Sequence, residues 1–123
     1  MELSFPIEFL VNGTPVSLQA KRPESRAEWK TLVKESSRNV LPEGRFATEL
    51  PLSMTIFYFP DGSMQGDVDN IVKPILDALC KHIYLDDSQI VRVVVQKFEP
   101  LMMYDFRNPT DVLRKAILSE KPV

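Results

Sequence analysis

One histidine, one cysteine, one tryptophan and four glycines are all that these 123 residues contain of those types. The lone cysteine, Cys80, excludes an internal disulfide, and its apolar neighbours Leu79 and Ile83 mark it as a small buried thiol of a reducing compartment. The lone histidine, His82, lies far along the expected helix from the aspartates at its mouth. A histidine-dependent nucleophilic triad or a zinc site built from several imidazoles therefore lacks parts. The few glycines form no phosphate-cradling loop of the nucleotide-binding kind. No apolar run approaches the length of a membrane span, and residues 1 to 8 lack the basic start and unbroken apolar stretch of a secretion signal. A cytoplasmic location without a membrane partner is expected. Net positive charge is also missing: 17 acidic residues against 15 basic give −2, which taken alone argues against a polyanionic partner.

What is present reads as one compact domain spanning residues 1–123. The hydrophobic fraction of 44% and charged fraction of 26% are ordinary for a globular chain, and the length suffices for one core but not two. Leu3, Phe5, Ile7 and Phe9 alternate as on one side of a strand, and Asn12-Gly13-Thr14-Pro15 reads as a turn into a hairpin with Val16 to Gln19. From Pro23 the period changes. Trp29, Leu32 and Val33 fall at helical spacing, and proline suits a first helical turn, so a helix is expected over 23–38. Its other face carries Arg26, Lys30, Lys34 and Arg38 four apart, a stripe that fits either a phosphate track or a solvated face. Residues 50–59 form an apolar and aromatic strand ended by Pro60-Asp61-Gly62, and residues 90–98 form another, with Val91, Val93 and Val95 on one face. Asn108-Pro109-Thr110-Asp111 reads as the start of a short helix docked by Leu113 and Ile117. The expected fold is α+β, a mixed sheet of about four strands with helices packed against it.

The chemistry concentrates between residues 66 and 90. There Asp67, Asp69, Asp77, Asp86 and Asp87 stand with Lys73 in an otherwise mostly apolar stretch. Carboxylates repel one another, so a fold that gathers several needs positive charge between them, and a divalent cation supplies it. With these five aspartates set aside, the rest of the chain is mildly basic. Val72, Ile75, Leu76, Leu79 and Ile83 define the buried stripe of a helix, which places Asp69, Lys73 and Asp77 one turn apart on another side. Pro74 is tolerable only if that helix begins near Asn70, so Asp67 and Asp69 sit at its mouth, and Asp69 or Asn70 is expected to cap it. Capping leaves Asp67, Asp86 and Asp87 unexplained. The Asp86-Asp87 pair precedes the strand at 90, where the chain can return a carboxylate toward the first pair, although such a pair also suits a solvated turn. Three aspartates can hold one magnesium ion or two, with Lys73 offsetting negative charge on a phosphoryl group and Asp77 in support.

The pattern Asp67-Val68-Asp69-Asn70, then Lys73, then Asp77-Ala78-Leu79, then Asp86-Asp87-Ser88-Gln89-Ile90 resembles the signature of the RusA family of Holliday junction resolvases. The likeness covers roughly residues 60–98, in order, spacing and strand context. It implies a magnesium-dependent endodeoxyribonuclease, with manganese as a substitute, acting as a homodimer on four-way DNA junctions by paired symmetric nicks in recombination and repair. It further implies catalytic and metal-binding acids at Asp67, Asp69 and Asp87 and an essential lysine at Lys73; helix phase and strand order leave Asp77 and Asp86, with Asn70, in support. A broader branched-DNA nuclease, or a metal-stabilised DNA-binding module without catalysis, are the alternatives. One departure stands out: where some relatives carry a basic run before the first aspartate, this chain has Asp61-Gly62-Ser63-Met64-Gln65-Gly66. DNA affinity must then come from elsewhere, and Arg26, Lys30, Lys34, Arg38 and Arg45 are the candidates, with Lys21 and Arg22 beside them.

Overall fold

A computed structural model describes residues 3–17, 22–64 and 66–123. Helix α1 (Pro23–Arg38) leads, and proline occupies its first turn, where the missing N–H costs nothing. Strand β1 (Leu52–Tyr58) follows. The chain then passes through a 3₁₀ turn, Val68–Ile71, into helix α2 (Val72–Leu79). A second short 3₁₀ turn, Asp87–Gln89, delivers it to strand β2 (Ile90–Lys97), and helix α3 (Asp111–Leu118) comes last.

The two strands lie parallel, joined by the crossover that contains α2. The register runs from Leu52 opposite Ile90 to Tyr58 opposite Lys97, with a slip between Leu52 and Ser53 that leaves Val91 as the extra residue. This bulge turns Val91 outward, 68% exposed.

Two apolar clusters hold the layers together. Trp29 and Val33 of α1 meet Ala78 and Leu79 of α2 together with Leu41, Ile83 and Tyr84. At the other end, Phe59, Phe98, Ala116 and Val123 enclose the base of α3. Phe59 and Phe98 stack there at 5.0 Å between centroids, and Val123 exchanges two backbone hydrogen bonds with Phe59.

Among the described residues the sheet has two strands rather than about four. Leu3, Ile7 and Phe9 do pack against the core, but their segment bends at Phe5 and forms no strand among the described residues, and Phe5 is 41% exposed. Alternation records which side is buried, and burial alone satisfies it; Pro6, without an N–H, further weakens the segment as a sheet edge. Of the expected hairpin partner, Val16 and Ser17 belong to no strand, and residues 18 and 19 lie outside the described residues. Helix α2 stops at Leu79, so Ile83 reaches the same core from the turn beyond it. The cap of α3 is Thr110, whose Oγ1 accepts from Leu113 N–H at 3.2 Å; Asn108 and Pro109 precede it.

Candidate active site

Gly66 adopts φ +80°, a left-handed conformation natural to glycine, and turns the chain immediately before Asp67. The 3₁₀ turn begins there. Its backbone closes on itself, Asn70 N–H donating to Asp67 O at 3.2 Å and Val72 N–H to Asp69 O. Neither Asp69 nor Asn70 caps α2 with its side chain, since the preceding turn leads straight into the helix and carbonyls take the early N–H groups. Asp67 and Asp69 are consequently exposed, and neither carboxylate pairs with a described residue.

One turn inward, Lys73 Nζ is clamped between two acids: Asp77 Oδ1 at 2.7 Å, four residues along α2, and Asp87 Oδ2, returned from the far side of the crossover. These two hydrogen bonds, Asp77's first, hold the ammonium well above the ordinary lysine range. Asp77 Oδ2 also lies 3.9 Å from Lys30 Nζ of α1. The basic face of α1 therefore borders the acids, and a cleft lined by Pro23, Arg26, Ala27, Lys30, Pro74 and Asp77 separates the two helices.

Asp87 owes its place to a clamp that the sequence reading passed over. Asp86 caps the short turn, its carboxylate accepting from Ser88 N–H at 2.9 Å, and hydrogen bonding from the Ser88 hydroxyl, then from that N–H, holds it below the usual carboxylate range. Gln89 completes a capping box: its Oε1 accepts from Leu85 and Asp86 N–H groups at 2.8 and 2.9 Å. Its Nε2 donates to the carbonyls of Thr48 and Leu50 at 2.8 and 3.0 Å. Four hydrogen bonds from one amide thus fasten the Asp87 turn to the approach of β1. The Asp-x-x-Gln spacing was the available signal.

Other candidates separate. Arg38 is paired with Glu35 at 2.6 Å. Arg45 leans on His82, its Nη2 2.9 Å from Nδ1, while Ser37 Oγ lies 2.8 Å from Nε2. Burial, and after it the Arg45 charge, push His82 down to about 4, so the imidazole is neutral near pH 7. This network ties α1 to the turn after α2 and belongs to the frame. Arg26 and Lys34 keep their place on α1 without an ion pair to a described residue, and Lys21 lies outside the described residues.

A small α+β domain whose helix mouth presents aspartates and whose lysine is shared between two more defines a carboxylate–lysine site of the kind suited to phosphoryl chemistry. The chain belongs to the RusA endodeoxyribonuclease family, whose model matches residues 12–101. That family acts on branched DNA junctions. No curated protein and no solved structure matches the chain. No helix among the described residues is long and apolar enough to cross a membrane.

Members of this family generally depend on a divalent metal. Among the described residues no three acidic, histidine or cysteine side chains are gathered closely enough to enclose an ion. The residues nonetheless fit one at a definite point: Asp87 Oδ1 is buried without a hydrogen-bond partner, an orphan oxygen that a cation satisfies. Asp67 and Asp69 stand exposed at the mouth of α2, without an ion pair to a described residue, and do not join Asp87 in such a group.

Proposed function

We propose that this protein is a magnesium-dependent Holliday junction resolvase, cutting four-way DNA by paired symmetric nicks as a homodimer. The observation that carries the reading is Lys73, held between Asp77 and Asp87 while Asp87 keeps one buried oxygen unpartnered, in a chain of this nuclease family. Asp67, Asp69 and Asp87 would hold the metal, which when bound supplies an activated water and stabilises charge on the phosphoryl oxygens. Lys73 presents a permanent positive charge to the scissile phosphate, and Asp77 fixes its direction. Asp86 and Gln89 hold the turn that carries Asp87. Arg26, Lys30 and Lys34 on α1 contact backbone phosphates next to the cleft. A twofold pair of such sites delivers the two nicks.

Incubation of a synthetic four-way junction with the protein and Mg²⁺ or Mn²⁺ tests the reading. Paired symmetric nicks are expected, and Asp69→Asn should retain junction binding while cleavage falls by at least roughly a hundredfold. Cutting that persists in this variant removes Asp69 from the site. Equal cutting of linear duplex would turn the assignment from a resolvase to a general nuclease, and a panel of flaps and forks separates the broader branched-DNA activity.

A further inference from the structure

Of the three acids assigned to the metal, Asp87 alone has a cation from the described residues already on it. A divalent ion drawn to Asp87 meets the Lys73 ammonium on the same carboxylate, and like charges at such separation repel strongly. Asp77 offers the ammonium another position. It lies one turn along α2, is bonded to Lys73 at 2.7 Å, and keeps its second oxygen 3.9 Å from Lys30, too far for a hydrogen bond. Lys30 and Lys73 together balance Asp77 and Asp87, so an ion drawn to Asp87 must displace charge rather than fill an empty acidic nest.

We infer that Asp77 is a positioning residue that takes Lys73 over from Asp87 when a divalent ion binds, so that the Lys73–Asp77 pair sets the site's metal affinity as well as the lysine's place. This rests on the reading of Asp87 as a metal ligand. Two single variants then act in opposite directions. Lys73→Met removes the competitor and tightens Mn²⁺ binding, whereas Asp77→Asn removes the alternative acceptor, leaves Lys73 on Asp87 and weakens it, each by roughly tenfold or more. A plain field effect of the two charges predicts the same signs, and the double variant separates the cases. If Asp77 acts through Lys73, Asp77→Asn changes nothing once Lys73 is methionine; if the charges act independently, its full weakening persists.

The measurement is Mn²⁺ titration of the full chain without DNA, free Mn²⁺ being followed by electron paramagnetic resonance. Circular dichroism confirms folding, and Lys73→Gln stands in if the methionine variant does not fold. Tighter binding in the lysine variants with a silent second substitution is expected. Additive effects, or unchanged affinity in Lys73→Met, would overturn the inference while leaving a junction-cleaving wild type intact. The expected pattern in a protein that leaves junctions uncut would instead sink the resolvase reading alone, and wild-type protein that binds no Mn²⁺ would sink both.

Discussion

Lys73 keeps its proton at any ordinary pH because two carboxylates share it, which makes it a fixed charge and disqualifies it as a base. Lys73→Ala should therefore lower cleavage by roughly a hundredfold or more, with a loss that stays constant between pH 6 and 9 when rates are compared across that range. A loss that varied steeply with pH would assign the lysine a proton-transfer role. His82 behaves in the opposite way. Its folded value of about 4 lies below the ordinary 6.5, so the native state favours the neutral ring. The associated stability is complete above about pH 6.5 and is lost as pH falls toward 4, by up to roughly 3 kcal/mol. Urea unfolding over that interval should show the decline, and His82→Gln should flatten it.

At the scale of elements, the turn before β2 matters as much as the acid it carries. Gln89→Ala removes four hydrogen bonds that fix Asp87. Cleavage should fall by roughly ten- to a hundredfold while far-ultraviolet circular dichroism stays unchanged, as expected for support of a ligand rather than for the ligand itself. Tyr84→Phe, which deletes the donor to Leu76 O at 2.5 Å from a buried ring, should cost about 1 kcal/mol in urea unfolding and leave cleavage near wild type.

These elements differ in how far the sequence disclosed them. Helix α1 was legible from Pro23 to Arg38 because a proline start and a repeated apolar face are local signals. The pairing of Lys73 with Asp77 followed from four-residue spacing. The partnership of Lys73 with Asp87 did not, since fourteen residues of crossover separate them and only tertiary packing brings them together. The strand expected near Phe5 failed for the same reason: alternation is local, and ladder partners are not.

The whole molecule carries no positive excess to draw it to DNA, so association must rely on where charge is placed. Lys30 is turned toward Asp77, and Lys34 lies one turn further along α1. Replacing both with alanine should weaken junction binding and reduce the slope of log affinity against log salt by about two, read from binding isotherms at several salt concentrations. An unchanged slope would return α1 to the role of a solvated face.

Every acid of the site, and Lys73, falls between Tyr58, where β1 ends, and Ile90, where β2 begins. Two strands that lie side by side yet far apart in sequence must find each other before Asp87 can reach Lys73, and such non-local pairing is a slow, cooperative event in folding. An excised peptide of residues 66–90 would carry all the chemical groups and none of the arrangement. Gln89 ties the Asp87 turn to the approach of β1, so hydrogen exchange at that turn should approach that of the strands themselves.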